Sequence, residues 1–519
     1  MVFYNHFLRN ISIFRVAKPL NTNQNRLAGY AILIDRFKLV TLPNWHTSSV
    51  SPTGSLRSII QDGQVESVYP QSYWPGDTTG DHLEFALKYD GVNLGILSAL
   101  FDVVPPDEVT AWITSKPTGK YARRIWFLYE FLTGRELPLS DLPKGNYILL
   151  LEPDHHYTVM PGHRVQRQRV INNLLGTRDF CPIIRRTEKL AALEAIDLRK
   201  KCEGVMTSYE PELLRRALSY LYSKETKSSF EIEHIKPSAS RTEKFIGLLE
   251  IAEHKDFCEK PLLIDLQNRI VDPRFQDTDY RTNQNYVGQT IAFQKQLVHY
   301  VCPKPEDLPR LMAGLLTAHQ IMKNGAVAAV VHAATIAYGF VFMHPFEDGN
   351  GRIHRFLIHN ILFMRGVIPK GLMFPISAAM LKNPAFYDDS LEAFSNPLMR
   401  LVEYDMDDLG QMMVPGETKR LYKYIDMTSQ TQALYEFINL TIENELVEEL
   451  DFLVNYDRTK QSLQEIVDMP DRLIDLFIQL CLQNNGHLSA RKKESHFEFL
   501  TPDELATMEK AVQKGYARR

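Results

Sequence analysis

The spacing of hydrophobic positions changes near residue 210. Before it, short apolar runs at residues 30–34 and 147–151 predict strands, separated by Pro/Gly/Ser/Asp-rich turns at 49–55 and 74–81. Residues 123–132 (RRIWFLYEFL) are apolar at helical spacing and predict a core helix. After residue 210 long helical patterns take over. Residues 211–222 place Leu213, Leu214, Ala217, Leu218 and Leu221 on one face, with Pro211 at the start, where its missing N–H costs nothing. After Thr282 the stretch NQNYVGQTIAFQKQLVHYV sets Gly288 among β-branched and aromatic residues, which predicts a hairpin. Cys302-Pro303-Lys304-Pro305 ends it, and helices resume from Glu306. Near the C-terminus, Thr501-Pro502-Asp503-Glu504 combines an N-cap, a first-turn Pro and a Glu three residues after the cap. The pattern predicts a mainly α chain in three parts: a mixed α/β domain over 1–200, a helical core over 205–415 and a helical extension over 416–519. A length of 519 residues fits roughly three domains at ordinary domain size.

Residues 324–346 contain no Asp, Glu, Lys or Arg, long enough to be read as a membrane span. They also hold Asn324, His332, His344 and several Ala and Gly, and they run straight into a charged, Gly-rich loop, so a buried helix of a soluble core is expected and no membrane is needed. Composition agrees: 44% hydrophobic and 24% charged residues exclude a wholly disordered chain, a collagen-like fibre and a polytopic membrane protein. A formal net charge of −4 removes bulk electrostatics as a reason to expect nucleic acid on the core. The five cysteines are scattered and form no CxxC pair, so neither a zinc ribbon nor a disulfide framework is expected, and a reducing, cytoplasmic setting fits best. The N-terminal residues 1–19 mix polar and basic with apolar side chains, without the pattern of a signal peptide.

Three short features carry little chemistry. Thr118-Gly119-Lys120 looks like the end of a phosphate loop but lacks the upstream Gly. His155-His156 has no further spaced ligands and reads as a surface turn. Arg491-Lys492-Lys493 reads as a solvated connection between two helices.

The informative string is MHPFEDGNGRIHRFLIH, residues 343–359. Gly349-Asn350-Gly351 enters a helix whose apolar face is Phe356, Leu357, Ile361 and Leu362. Glycines there let main-chain N–H groups approach an anion, and the helix N-terminus favours negative charge. Arg352 and Arg355, three apart, share a face near that point and suit a polyphosphate. Asp348 offers a hard oxygen for Mg²⁺. His344 can accept a proton from an attacking hydroxyl at neutral pH.

His344–Arg355 matches the motif HxFx(D/E)GNGRxxR of the Fic (Fido) family at every fixed position, so the chain resembles that family. The resemblance implies a mostly helical catalytic core that transfers AMP from ATP to a protein hydroxyl. It makes His344 the base, Phe346 the loop anchor, Asp348 the Mg²⁺ ligand, Gly349, Asn350 and Gly351 the anion hole, and Arg352 and Arg355 the clamp on the β- and γ-phosphates. Relatives that run ATP in reverse, as kinases, carry a larger basic residue where this chain keeps Gly351. His354 falls at a variable position and has no implied role.

Upstream, SSFEIEHI at residues 228–235 resembles the family's inhibitory motif (S/T)xxxE(G/N), with Ser229 and Glu233 at the fixed positions and His234 in place of Gly or Asn. In the family that Glu pairs with the second arginine, here Arg355, and an N-terminal placement is class II-like. Residues 285–300 stand where the family has its flap, which aligns a target segment by strand addition; Val287, Gly288 and Gln289 are the candidate contacts.

The resulting expectation is an autoinhibited protein adenylyltransferase using ATP and Mg²⁺, acting on a target protein that includes itself among the candidates, with a homo-oligomer compatible with that role. The rivals are the same fold transferring UMP or removing AMP, and a nucleotide-binding regulatory module.

Overall fold

The computed structural model describes residues 25–61, 63–292, 295–407 and 409–516. The N-terminal stretch examined for a signal peptide lies outside these. The chain is mainly helical, with its strands concentrated before residue 175 and in one hairpin.

The expected strand at 30–34 is instead the first turn of a helix, Tyr30–Phe37. Five consecutive apolar residues do not separate the two periods; the tertiary setting does. The helix starts after Gly29, whose φ of +60° is left-handed, and Tyr30 N–H donates to the buried Asp90 carboxylate at 2.9 Å. A Cβ on Gly29 would stand 1.9 Å from Asp90 Oδ2, so only glycine permits this approach. Asp90 also meets His46 Nδ1 at 3.0 Å, which ties the helix to a four-stranded sheet. Across that sheet lie Arg26–Ala28, His46–Ser51, Gln64–Pro70 and Arg57–Gln61 in order, with the central pair parallel. The run at 147–151 keeps only Ile148–Leu149 as strand. The expected core helix spans Lys120–Thr133. Of the two adjacent histidines, His155 is exposed but His156 is buried and bridges Arg185, so the pair is not a simple surface turn.

The largest apolar cluster runs from Tyr157 to Leu453 and surrounds the helix Ala329–Met343, nearly all of which is buried. Among the described residues no helix is long and apolar enough to cross a membrane. All five cysteines are buried free thiols. A separate small cluster joins Leu463 to Val512, where Thr501 and Glu504 form the expected reciprocal cap: Thr501 N–H donates to Glu504 Oε2 at 2.8 Å and Glu504 N–H to Thr501 Oγ1 at 3.3 Å. Arg491, Lys492 and Lys493 lie in a helix, Ala490–His496, and not in a loop.

Among the contacts that join the N-terminal region to the core is a main-chain strap. Cys181 N–H donates to Lys423 O at 2.9 Å, Ile183 N–H to Ile425 O at 3.0 Å, and Met427 N–H back to Ile183 O at 2.9 Å. Ahead of the strap, fully buried Phe180 fills the groove between the helices Leu308–Asn324 and Ala329–Met343. The groove exists because Gly314 and Gly339 leave it open. A Cβ on Gly314 would lie 2.7 Å from Phe180 N, and one on Gly339 would lie 3.0 Å from Phe180 Cζ.

Gly314→Ala is therefore expected to cost about 1–3 kcal/mol, because main chain must move to admit one methyl group. Gly247→Ala, in the helix Ala239–Ile251 with nothing within 4 Å, should instead stabilise by up to about 1 kcal/mol. Thermal denaturation of the two variants reads both signs; equal midpoints would show that the strap does not press on Gly314.

Candidate active site

The helix Ala329–Met343 ends at His344, which takes the left-handed conformation at φ +49° and donates its main-chain N–H to Phe340 O at 2.9 Å. Its Nδ1 lies 3.2 Å from Val341 O, which places the ring proton on Nδ1 and leaves the Nε2 lone pair free. Burial first, and then the charge of Arg281, pushes the His344 pKa down to about 4, against smaller opposing effects of the Val341 carbonyl and Asp348. The imidazole is neutral at physiological pH.

Phe346 is fully buried, with Tyr280 and Phe340 at ring distances of 5.8 and 6.2 Å. The loop is then closed by Asn350, whose Oδ1 accepts from Phe346 N–H at 3.1 Å and whose Nδ2 donates to Phe346 O at 2.7 Å. The Asn350 side chain therefore holds the loop shut, leaving its main chain for the anion cradle. Gly349, at φ +88°, packs so closely on the main body that a Cβ would meet Val271 Cγ1 at 2.9 Å.

Arg352 and Arg355 project from the first turns of the helix Asn350–Met364, with side chains 0% and 2% exposed. Arg355 donates from Nε to Ser229 Oγ at 2.9 Å, and from Nη2 to Ser229 O at 2.6 Å and Glu233 Oε1 at 2.7 Å. Arg352 donates to Ile270 O at 3.0 Å and to Asp348 Oδ1 at 2.7 Å, and its Nε stands 2.8 Å from Glu233 Oε2. Glu233 thus bridges both arginines, where the inhibitory motif implied contact with Arg355 alone. Its carboxylate also lies over the glycine turn, since a Cβ on Gly351 would meet Glu233 Oε1 at 2.5 Å.

The substitution at His234 has a conformational reason. The helix Pro211–Glu231 ends in a turn in which Ile235 N–H reaches back to Phe230 O at 3.1 Å and His234 adopts φ +56°. The position calls for left-handed backbone, which Gly and Asn take most easily and His tolerates. His234 fills the same conformational role.

The hairpin pairs Tyr286–Ala292 with Lys295–Val301, and its register shifts between Val287 and Gly288. Gly288 is required by the main chain, since a Cβ would stand 2.6 Å from Leu297 O. Val287 is exposed and Gln289 half-buried on the same strand.

Several contributors carry no motif. Tyr387 is buried beside Arg355, whose charge opposes the burial that raises the tyrosine pKa. Phe230 lies under the Arg352 guanidinium at 5.2 Å. Asp277 accepts from Gln267 Nε2 at 3.1 Å and from Glu347 N–H at 3.2 Å, and burial followed by the Asp348 charge raises its pKa. Arg281 donates to His344 O. Tyr387, Asp277 and Arg281 are brought to the site by tertiary packing from segments without local signature, and Phe230 comes from a variable position of the 228–235 motif.

Comparison with known proteins meets this geometry from the other side. The Fic/DOC family model matches residues 257–362. Protein adenylyltransferase Fic of Drosophila ananassae is 33% identical over 115 residues, 21% of each chain. The protein of the same name from Culex quinquefasciatus is 33% identical over 125 residues, 23% of this chain and 22% of its own. The match spans about a fifth of the length of these curated relatives. Among solved structures, a Fic family protein from Desulfovibrio desulfuricans G20 aligns at 17% identity and a TM-score of 0.34, over 64% of this chain and 85% of its own. Residues 257–362, which hold His344, the glycine turn and both arginines, are a Fic/DOC family domain.

Proposed function

We propose that this chain is a protein adenylyltransferase that moves AMP from ATP to a side-chain hydroxyl of a protein, and that Glu233 is its built-in brake. The observation that carries the proposal is the placement of Glu233 between Arg352 and Arg355, at 2.8 and 2.7 Å, over Gly351. An anion already lies on the two guanidiniums and the helix N-terminus that suit the β- and γ-phosphates of ATP. The hydroxyl oxygen attacks the α-phosphorus in line, His344 Nε2 takes the hydroxyl proton, and the bond from the α-phosphorus to the bridging oxygen breaks as pyrophosphate leaves. Positioning and charge neutralisation account for most of the acceleration.

The residues present fit a magnesium ion. Asp348 is partly exposed at the mouth of the site; burial and then the Asp348 charge raise the Asp277 carboxyl, and burial raises that of Glu347 against the attraction of Arg281, with Asp277 adding to the rise, a crowding of carboxyls that suits a cation. Asp348 would hold Mg²⁺, and the ion would neutralise phosphate charge as pyrophosphate departs. Transfer in the kinase direction finds no support, because any side chain at position 351 would collide with Glu233. The free cysteines suit a reducing, cytoplasmic setting.

Three outcomes are expected. His344→Ala should abolish label transfer from α-labelled ATP while nucleotide binding survives, because the base meets the nucleophile and not the phosphates; retained transfer would remove His344 from that role. Glu233→Gly should raise auto-modification by about tenfold or more, because a misaligned α-phosphorus costs orders of magnitude in rate. The same variant leaves two buried cations without their bridge, so Mg·ATP should raise its melting temperature more than it raises that of the unsubstituted chain. Equal rates and equal shifts would mean that Glu233 is not the brake. Finally, the active form of His344 is neutral and its pKa is depressed to about 4, so transfer by the released variant should hold its rate on acidification and fall only as pH approaches that value. A limb near the ordinary histidine value of about 6.5 would place the base in a wetter environment.

A further inference from the structure

Arg281 is 4% exposed, and none of the acidic side chains among the described residues forms an ion pair with it. Its guanidinium is spent on main-chain carbonyls. Nε donates to His344 O at 2.8 Å, Nη1 to Asn283 O at 2.7 Å and Nη2 to Pro303 O at 2.6 Å, while its own main-chain N–H donates to Pro345 O at 2.8 Å. His344 and Pro345 begin the catalytic loop. Asn283 and Pro303 are the two stems of the hairpin Tyr286–Ala292/Lys295–Val301.

One side chain therefore ties its own segment, through Asn283, to two others that lie 22 and 63 residues further along the chain. A planar fork with donors in fixed directions reaches three diverging carbonyls, whereas an ammonium is a single point of charge. Burying a cation with no carboxylate at ion-pair distance is unfavourable, since Glu347 attracts Arg281 only from farther off, and a position that needed only packing is better served by an apolar side chain. Neighbouring contacts run the same way. Tyr300 Oη on the second hairpin strand donates to Phe342 O, two residues before His344, and Gln284 Nε2 donates to Cys302 O across the stems at 2.8 Å.

We propose that Arg281 is a positioning residue that sets the hairpin and His344 in one register, so that a hydroxyl presented along the hairpin arrives in line with Nε2. This rests on the transfer reaction proposed for the same site. The groups that set the charge around His344 are Arg281 and Asp348, acting on an imidazole that is half-buried and bonded to Val341 O.

The test compares Arg281→Lys and Arg281→Gln, each in the Glu233→Gly background, using auto-modification from α-labelled ATP and normalising to folded protein. Both should lose at least about tenfold in rate at saturating Mg·ATP, because geometry between base and nucleophile is lost, while ATP affinity changes by less than about twofold. The acid limb of the rate should move to higher pH in Arg281→Gln, which loses the charge, and stay in place in Arg281→Lys, which keeps it; a purely structural role moves neither. Rates per folded molecule within about twofold of the background would overturn the proposal. Hydrogen exchange supplies a readout independent of transfer: in Arg281→Lys, without the Glu233 change, amides of the hairpin stems and of residues 344–349 should lose protection together. Loss in only one of them, or in neither, would overturn it. If the Glu233→Gly background transfers no label with Arg281 intact, the transfer proposal fails and the exchange result alone decides the coupling. Should the variants not fold, denaturant-dependent exchange of the unsubstituted chain decides: one common opening free energy for stems and loop is expected, and two different ones would refute it.

Discussion

Two guanidinium groups buried at the start of one helix set the terms for everything around them. Arg352 and Arg355 are 0% and 2% exposed, cannot lose their protons, and stand where the helix N-terminus adds further positive potential. Such a site is stable only with an anion in it. Asp348 supplies part of the counter-charge and Glu233 the rest, and around them the chain is shaped to fit. Gly351 is bare because the Glu233 carboxylate occupies the space a side chain would take. His234 is left-handed because the chain must turn immediately after presenting Glu233. Ser229 faces Arg355 with both its hydroxyl and its carbonyl, since an ion pair alone leaves guanidinium donors unmatched.

The helix that presents Glu233 is held along its length, and unevenly. Leu213, Ala217, Leu221 and Phe230 pack into the main core. Glu225 is completely buried, 2.8 Å from His359 Nε2 on the helix Asn350–Met364, and accepts from Ser377 N–H at 2.8 Å. Glu233 itself lies beyond the last helical residue, in a turn of half-buried and exposed side chains. The last helical turn, beside the arginines, is buried as well through Ser228, Ser229 and Phe230, and only the turn from Glu231 onward is half-buried or exposed.

On the opposite side, the packing around His344 reaches well beyond the matched domain. Phe180, from the N-terminal half, packs against the same helix that ends at His344, and Tyr422 Oη donates to Val301 O at 2.7 Å from the C-terminal side. Phe180, the hairpin residues Tyr300 and Val301, Met343 and the strap residues Ile425 and Met427 share one apolar cluster, while Cys181 and Ile183 of the strap belong to a second.

The site motif was legible in the sequence because its parts act within one loop and two helical turns: His344, Phe346, Asp348, the glycine turn and the two arginines are local, and their spacing alone sets which of them share a face. The hairpin was legible too, from Gly288 and the Pro-rich break after Cys302, as was the capped C-terminal helix. The run at 30–34 was not, because five apolar residues suit either period, and the outcome rested on a buried carboxylate, Asp90, brought to Tyr30 from 60 residues away. Arg281 was illegible for a related reason: a single arginine before a hairpin has no pattern, and its role appears only once carbonyls from separate segments converge on it. His234 shows the intermediate case, where chemical identity departed from the motif while the backbone conformation the motif exists to secure was kept. The sequence by itself determined which residues could do chemistry, since that depends on side-chain type and short-range spacing. Only the tertiary structure decided which charges meet, because burial and long-range closure choose the partner of each buried polar group.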